Sequence, residues 1–328
     1  MKAFFKRIAW MRWPLALALL IAFAVHEGMS DAWALIAHTG PILLWLVPLH
    51  ALPLLLDARA WQLLLDERIP LPALWWIAVV REAVGRLLPV LGIGGEIAGI
   101  RLASRYLADL SRVSASVIVE VLVTIAVQYA LAVLGLAILC MTLRDAHGLP
   151  QLIAWGLAMS LPIAIAAFVI AHRGAPFHRL EAMARRWLGA DAKLDGKRLD
   201  HDVRALLQRP VLCLRAFAWQ LAGYVLGSIE IFLGFEMLGH PVSIAGAVAI
   251  EALTQSLRNA VFIAPAGLGV QEAAIVAIAS VFGVDREAAL SMALVKRARE
   301  FVWGGIALML LRFVDARGER ISSQQRQT

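Results

Sequence analysis

Long apolar runs restrict the fold of this 328-residue sequence more than any other feature. A helix that crosses a bilayer needs about 20 mostly apolar residues. Runs that approach or exceed this length lie at residues 13–25, 41–60, 115–143, 149–171, 211–238 and 288–313. The sequence is 61% hydrophobic and only 17% charged, whereas soluble domains carry about a quarter charged residues. These values predict an integral membrane protein rather than a soluble protein with a large core.

The distribution of lysine and arginine predicts how the chain crosses the membrane, because cytoplasmic loops are enriched in both. The segment before residue 13 is basic, the loop at residues 26–40 has no lysine or arginine, and the tail beyond Arg312 is basic again. The connector at residues 173–210 carries nine basic residues, namely Arg173, Arg179, Arg185, Arg186, Lys193, Lys197, Arg198, Arg204 and Arg209. Both termini are therefore expected in the cytoplasm, in a multi-pass protein of a bacterial-type inner (plasma) membrane. The net charge of +7 belongs to these loops, so we expect no nucleic-acid partner.

The runs predict a single integral membrane domain over residues 1–321. Its first half covers about 1–172, a cytoplasmic connector covers 173–210, the second half covers 211–314, and residues 322–328 are predicted to be a disordered tail. The basic N-terminus resembles that of a signal peptide, but no clear small-residue cleavage site follows, so a retained first span is expected. Apolar residues recur at helical spacing among the arginines of the connector, at Phe177, Leu180, Ala184, Trp187 and Leu188. This pattern fits either a helix on the anionic inner surface or a solvated linker helix.

Two further apolar stretches, at residues 73–102 and 242–282, are interrupted by glycines, a proline and charges. In the predicted topology the first stretch enters from the cytoplasm and returns to it, and the second does the same from the outside. Both stretches contain arginine, proline, glycines and glutamate in the same order, and in both the glutamate follows the proline by seven positions. The residues are Arg86, Pro89, Gly94, Gly95 and Glu96 in the first stretch, and Arg258, Pro265, Gly267, Gly269 and Glu272 in the second. We therefore predict an all-α polytopic membrane helix bundle with two oppositely oriented re-entrant hairpins, an inverted repeat with a site between its halves.

The helix breaks create a place for an anion. Proline and glycine leave backbone groups without helical partners. The helix that restarts after Gly95 or Gly269 presents free N–H groups and the positive end of its dipole, which suit a phosphate or a carboxylate. Glu96 and Glu272 fall in the first turn of these helices, where they either belong to the site or cap the helix.

Charged residues inside apolar segments are a second indication of a polar site. One arginine or lysine at the centre of a spanning helix costs roughly 2.5–3.5 kcal/mol, so many of them together must face a polar cavity or pair with one another. The broken segments and the last span contain Arg81, Glu82, Arg86, Glu96, Arg101, Glu251, Arg258, Glu272, Lys296, Arg297, Arg299 and Glu300. Glu120, Gln128, Glu230 and Glu236 lie in other spans, and we expect them to be structural partners between neighbouring helices.

A family resemblance rests on two motifs, Gly94-Gly95-Glu96 with Arg101, and the stretch from Pro265 to Glu272. With these motifs the chain resembles the membrane domain of lysylphosphatidylglycerol synthases, a flippase-like family, over nearly its whole length. The stretch that begins at Glu251 is most similar to the hopanoid-biosynthesis-associated, HpnL-type branch. The resemblance implies an integral bundle with re-entrant segments and lipid translocation, and it implies roles for Glu96, Arg101, Arg258, Pro265, Gly267, Gly269, Gln271 and Glu272.

We therefore expect a lipid flippase or transporter that moves a polar-headgroup or hopanoid-type lipid across the inner membrane. The expected substrate-binding and translocation residues are Arg86, Glu96, Arg101, Glu251, Gln255, Arg258, Asn259, Gln271, Glu272, Arg297 and Arg299. The expected helix breaks are Pro89, Gly94, Gly95, Pro265, Gly267 and Gly269. The expected partners are the lipid substrate and the bilayer, with lipid-synthesis enzymes as further candidates.

Two other functions stay open at this point. A membrane-embedded transferase acting on a lipid headgroup would use Glu96 or Glu272 as its general base, and a scaffold for lipid-synthesis enzymes would not transport at all. The sequence has no HExxH motif and no GxSxG nucleophile elbow, and we expect no soluble transferase domain after the membrane part. We accordingly expect no metal, no cofactor and no aminoacyl transfer. Cys140 and Cys213 are expected to be unpaired.

Overall fold

The computed structural model describes residues 29–87, 94–143, 148–179, 195–260 and 269–325. These residues form helices and connecting turns without a strand, which confirms the predicted all-α class. Several predicted features lie outside the described residues: the first span at residues 13–25, the helix-breaking Pro89, Pro265 and Gly267, and residues 180–188 of the connector.

The described part of the chain begins at Met29 with a nearly continuous helical run that is divided at glycine and proline. It comprises α1 (Met29–Thr39), a 3-10 turn (Gly40–Trp45), α2 (Leu46–Leu49) and α3 (Ala51–Leu64). Gly40 has a positive φ of 74°, and Pro41 and Pro48 lack the N–H that an uninterrupted α-helix would use. α3 continues to Leu64, beyond the predicted end of this span at residue 60, so its last turn is helix rather than loop.

The remaining helices are α4 (Leu71–Leu87), α5 (Gly94–Ala103), α6 (Leu110–Thr142), α7 (Leu149–Arg173), α8 (Gly196–Leu207), α9 (Pro210–Met237), α10 (Ile244–Ala260), α11 (Val270–Val281) and α12 (Arg286–Gln325). Among them, α6 and α8 begin at an aspartate side-chain cap. Asp109 accepts a hydrogen bond from the backbone N–H of Arg112 at the start of α6, and Asp195 accepts from Lys197 and Arg198 at the start of α8. α12 ends at Gln325, so it includes residues 322–325, where disorder was predicted.

Among the described residues, four helical stretches are long and apolar enough to cross a membrane: Ala34–Leu64, Leu110–Thr142, Pro150–Arg173 and Pro210–Met237. They correspond to the predicted runs at 41–60, 115–143, 149–171 and 211–238. On α7, Leu152, Met159 and Ile163 are at least 70% exposed. Apolar side chains that project outward in this way are expected to face lipid, which supports a membrane helix bundle.

Each interrupted segment folds into two antiparallel helices that pack on one another. In the first hairpin, α4 and α5 approach so closely that a Cβ on Gly95 would lie 2.5 Å from the carbonyl oxygen of Arg81. In the second hairpin, α10 and α11 contact each other near the break through Arg258 and Gln271, and far from the break where Gly246 lies against Phe282. The predicted break in each segment therefore separates two helices that pack together as a hairpin.

The two halves of the bundle contact each other reciprocally. Helix α4 of the first hairpin packs against α12, the long helix that follows the second hairpin. Helix α10 of the second hairpin packs against α6, the long helix that follows the first hairpin, and α3 packs against α9, the helices that precede the two hairpins. Exchanging the two halves leaves this set of contacts unchanged, which supports the predicted repeat.

Asp66 ties three segments together at one end of the bundle. It follows α3 and accepts hydrogen bonds from Arg112, which begins α6, and from Arg209, which precedes α9; the Arg209 contact is 2.7 Å. Partial burial raises the pKa of Asp66, but the hydrogen bonds and positive charges of Arg209 and Arg112 outweigh burial and lower it below the ordinary 3.8. The ionised carboxylate therefore stabilises the folded state.

The Asp66 contact predicts a pH-dependent stability difference. Asp66→Asn should lower the Tm in detergent at neutral pH, because the neutral amide loses both charged contacts. A lowered folded-state pKa gives stability that is present above the unfolded value and lost as pH falls through the folded value, so the Tm difference should shrink below about pH 3.8. Asp285→Asn, which changes a carboxylate whose side chain is 75% exposed, is the control. An Asp66 difference that stays constant down to acid pH contradicts the assignment.

The close approach of α4 and α5 predicts the outcome of a glycine substitution. Gly95→Ala should destabilise the protein by about 1–3 kcal/mol, since the new methyl group would overlap backbone that cannot rotate away. Gly156→Ala, on the exposed face of α7 with open space around its Cβ position, should be neutral or slightly stabilising because alanine favours helix. Thermal unfolding of both variants in one detergent checks this, and equal stability of the two would contradict the packing.

Candidate functional site

A cavity of about 450 Å³ lies between the two hairpins and the helices that support them. Its lining includes the six carboxyl groups of Asp57, Glu82, Glu96, Glu120, Glu230 and Glu251. It also includes the four guanidinium groups of Arg81, Arg86, Arg258 and Arg299, together with the imidazole of His50. These residues come from α3, α4, α5, α6, α9, α10 and α12 and from the α2–α3 junction, so the cavity is central to the bundle.

Glu300 on α12 is the point where the two hairpins meet. Its side chain is 1% exposed. It accepts hydrogen bonds from Arg86 of the first hairpin and, at 2.8 Å, from Arg297 of its own helix. The guanidinium of Arg258, from the second hairpin, lies 3.6 Å from the same carboxylate. Three guanidiniums thus converge on one buried carboxylate, with positive charge in excess there.

The three arginines around Glu300 are not neutralised equally. Arg86 also contacts Glu82 at 2.6 Å, and Arg297 also donates to Glu272 at 2.6 Å. Arg258 instead donates to the amide oxygen of Gln271 at 2.9 Å. Among the contacts of the described residues, Arg258 is the cavity arginine without a carboxylate at hydrogen-bond distance. It is therefore the cation of this group that is best placed to bind an added anion.

Glu272 caps the start of α11 and joins this helix to α12. It is 2% exposed and accepts hydrogen bonds from the backbone N–H of Gly269 at 2.8 Å and from Nε and Nη2 of Arg297 at 2.9 and 2.6 Å. Gly269 has a positive φ of 80°, a conformation that favours glycine. The structure therefore supports the capping alternative for Glu272, with an added ion pair that ties α11 to α12.

Each hairpin is also tied to the long helix that follows it by a buried ion pair. Nη1 of Arg81 on α4 donates to both oxygens of Glu120 on α6, at 2.9 and 2.8 Å, while its guanidinium lies 4.8 Å from the ring centroid of Trp61. Lys296 on α12 donates to Glu251 on α10, and Glu251 also accepts from Gln255 at 2.9 Å. Each pair joins a hairpin to the long helix that follows it. In the first half the hairpin carries the positive charge, and in the second half the hairpin carries the negative charge.

The lining around Arg81 is rich in carboxyl groups. Asp57, Glu96 and Glu120 are all electrostatic neighbours of its guanidinium. Asp57 accepts a hydrogen bond from Gln220 at 3.2 Å, whereas Oε2 of Glu96 is buried without a hydrogen-bond partner among the described residues. The cavity therefore has a carboxyl-rich region beside Arg81 as well as the cationic region beside Glu300. In the part of the chain that the structure describes, no group of three or more His, Cys, Asp or Glu residues is arranged to hold a metal ion.

Residues 10–308 match the sequence profile of the lysylphosphatidylglycerol synthase TM region. The chain belongs to this family. The match covers most of the sequence, so the family membership inferred from the two motifs is confirmed. No curated protein and no solved structure matches the chain. The HpnL-type branch within the family stays a prediction.

Most residues that the family motifs and charge pattern singled out lie at or behind the cavity. Those on its lining are Arg81, Glu82, Arg86, Glu96, Glu251, Gln255, Arg258, Asn259 and Arg299. Gln271, Glu272 and Arg297 are buried behind it and hold lining residues or α11 in place. Gly94 and Gly95 begin α5, and Gly269 precedes α11, so these three predicted breaks stand at helix ends.

Arg101 was predicted to bind the substrate, but it lies away from the cavity. It is exposed and does not line the cavity. It follows Glu96 by five positions on α5, and at 3.6 residues per turn this rotates a side chain by about 140°. The motif resemblance placed the residue on the correct helix but did not account for the direction in which it projects.

Several lining residues were missed or assigned other roles. His50 and Asp57 both lie within the predicted run at 41–60, and neither was singled out as a site residue. Glu120 and Glu230 were expected to be structural partners; they do pair, with Arg81 and Arg299, and they line the cavity as well. Of the other two, Gln128 donates to the hydroxyl of Tyr224 at 3.0 Å and Glu236 is exposed.

The buried pair of Lys296 and Glu251 predicts a charge-swap experiment. Reversing one partner, in Lys296→Glu or Glu251→Lys, should destabilise the protein by about 3–5 kcal/mol, because two like charges would be buried together. Reversing both should recover most of this loss. Thermal unfolding of the singles and the double gives the coupling energy. The same swap at Arg59 and Glu67, an exposed pair, should give less than about 1 kcal/mol. A double variant no more stable than the singles would contradict the pairing.

Proposed function

We propose that this protein is a lipid translocase, in which a polar headgroup passes through the charged cavity while its apolar tail stays in the surrounding lipid. The observation that carries the proposal is the cavity of about 450 Å³ with ten charged side chains, set between two hairpins in a helical membrane bundle. This volume lies within the 300–1,000 Å³ or so that is typical of small-molecule sites.

The cost of buried charge supports a functional role for the cavity. Each charged group in the interior of a membrane helix costs roughly 2.5–3.5 kcal/mol on insertion scales, and a buried ion pair is often no more stabilising than apolar side chains of similar volume. A bundle selected for stability alone would therefore fill this space with apolar residues. Many ionisable groups facing one open volume are typical of a path for a polar substrate.

The arrangement around Arg258 supports an anionic or phosphate-containing headgroup. Guanidinium groups bind phosphate oxygens through two parallel hydrogen bonds. Arg258 lines the cavity, has its carboxylate neighbour at 3.6 Å, and lies beside Gln255 and the exposed Asn259, whose amides can donate further hydrogen bonds. In this proposal Arg258 contacts the headgroup, and Glu300 releases Arg258 when the headgroup arrives.

The hairpins provide the moving parts in this proposal. We propose that they enter the membrane from opposite faces as re-entrant elements, with both termini in the cytoplasm of an inner-membrane protein, and that the cavity between them opens to one side and then to the other. Hopanoid-type lipids are one candidate cargo because of the resemblance to the HpnL-type branch. The process requires no chemical turnover, so we do not expect enzymatic activity.

A matched pair of arginine variants tests the proposal. Arg258→Gln should lower the rate of translocation of a fluorescent phosphatidylglycerol by at least about tenfold in reconstituted vesicles, since loss of a charge-assisted contact costs about 1.5–3 kcal/mol. Arg101→Gln removes the same charge from the exposed position on the same protein and should leave the rate unchanged. Equal reconstitution of both variants is verified by their unfolding temperatures and by the amount of protein per vesicle.

Three outcomes of this comparison contradict the proposal. The first is a wild-type protein that does not move the probe or any other labelled polar lipid. The second is a normal rate in Arg258→Gln, and the third is an equal loss in both variants. Chemical conversion of the labelled lipid by purified protein would instead favour a headgroup transferase.

A further inference from the structure

His50 occupies a position in the cavity that the translocation proposal does not use. It joins α2 to α3, is 8% exposed and lines the cavity. Its Nε2 lies 2.8 Å from Oε2 of Glu82 on α4, and its Nδ1 lies 3.8 Å from Oε2 of Glu230 on α9. Both ring nitrogens thus face carboxylates, and these carboxylates belong to two different helices.

The geometry around the ring contains a place for one more proton. A neutral imidazole has one N–H group, and the 2.8 Å contact uses it at Nε2 for Glu82. Nδ1 then directs a lone pair at Glu230. A second proton would replace this lone pair with an N–H that points at a carboxylate. Glu230 is 2% exposed, and its Oε1 is buried with no hydrogen-bond partner among the described residues, so the carboxylate has acceptor capacity to spare.

The charged groups around His50 form one connected row across the bundle. Glu82 is shared with Arg86, whose Nε lies 2.6 Å away, and Glu230 is shared with Arg299 of α12. Helix α12 also contributes Trp303, whose ring lies edge-on to His50 with centroids 6.5 Å apart. From α6, which also packs on α3, Glu120 is held by Arg81. The row is therefore Arg86, Glu82, His50, Glu230 and Arg299, with a titratable group at its centre.

Glu272 is a buried carboxylate near the cavity, but it is less suited to bind a coupling proton. Glu272 is held by three hydrogen bonds and lies behind the lining rather than on it. Histidine, in contrast, is the side chain that ordinarily changes charge near neutral pH. His50 also joins moving parts, because Glu82 belongs to the first hairpin whereas Glu230 belongs to a supporting helix.

We infer that His50 is the proton-binding residue that couples lipid movement to a pH gradient, an inference that rests on the proposed translocation. With two ring protons, His50 donates to Glu82 and Glu230 and bridges α4 to α9. When Nδ1 gives its proton to water in the open cavity, the contact with Glu230 is lost and α4 is free to shift with its hairpin. The proton is taken from water on one side of the membrane and returned to water on the other, so charge and atoms balance.

A glutamine in place of His50 separates the contact from the titration. His50→Gln keeps an amide N–H that can donate to Glu82 but cannot bind a second proton. The measurement is the rate at which vesicles of phosphatidylethanolamine and phosphatidylglycerol translocate fluorescent phosphatidylglycerol, with and without a gradient of about one pH unit, which corresponds to 1.36 kcal/mol. The wild-type rate should change several-fold with the gradient, whereas the rate of His50→Gln should be independent of it. His201→Gln, at an 81% exposed histidine, should respond to the gradient as the wild type does.

A second readout does not depend on transport. Nitrogen-15 spectra of histidine-labelled protein in detergent, compared between wild type and His50→Gln, identify the His50 ring signals. As the pH is varied, these signals should show both the singly and the doubly protonated ring. If the glutamine variant fails to fold, His50→Asn serves the same two measurements.

The outcomes distinguish this inference from the proposal beneath it. Translocation by the wild type that ignores the pH gradient overturns the inference and leaves the proposed function intact. Absence of translocation by the wild type overturns the proposed function, and the spectra then decide alone whether His50 binds the proton. A ring that stays singly protonated over the whole pH range overturns the inference in either case.

Discussion

The convergence of three guanidiniums on the Glu300 carboxylate holds the centre of this bundle together. Arg86 connects α4 to Glu300, Arg258 connects α10 to it, and Arg297 lies on α12, the same helix as Glu300. Because the carboxylate is buried, these attractions are screened far less than they would be at a surface. One carboxylate cannot satisfy three cations equally, and the longest contact, at 3.6 Å, is that of Arg258. The same interaction that joins the hairpins therefore leaves one cation only partly neutralised.

Buried ion pairs also determine which helices become neighbours. Lipid tails are as apolar as the side chains on the outside of a membrane helix, so moving these side chains from lipid to a neighbouring helix changes the free energy little. Apolar contact alone therefore discriminates poorly between helix partners. Charged groups discriminate strongly, since an unpaired charge in this environment is costly. Arg81 with Glu120 joins α4 to α6, Lys296 with Glu251 joins α12 to α10, and Arg299 with Glu230 joins α12 to α9. The arrangement of the bundle follows from these pairs as much as from its packing.

Helix class and helix breaks could be predicted from the sequence because they depend on local features. Apolar runs of sufficient length indicate spans, and glycine with proline indicates a break. Arg86, Glu251 and Arg258 could be placed at the site for a related reason, since charge within an apolar run is rare. Which groups pair could not be predicted, because partners such as Arg86 and Glu300 lie far apart in the sequence.

The residues that the sequence did not reveal share a different property. His50 and Asp57 both lie within the predicted span at 41–60, where one polar residue looks the same whether it faces a neighbouring helix or a cavity. Arg101 shows the opposite error, because a motif identifies a residue without specifying the face of the helix on which it lies. Helical rotation and tertiary neighbours decide both cases, and neither is encoded in local composition.

The reciprocal packing of the two halves has a consequence for the energy of the whole molecule. In the proposed translocation, α4 slides along α12 and α10 slides along α6. If the two halves were identical, each arrangement of the bundle would have a counterpart in which the halves exchange places, and the two would be equal in free energy. The halves here are not identical, since the first is tied by Arg81 and Glu120 and the second by Glu251 and Lys296. In the proposed translocation, the difference in strength between these two ion pairs decides which of the two arrangements has the lower free energy. A charge substitution far from any bound lipid can therefore change the populations of the two arrangements.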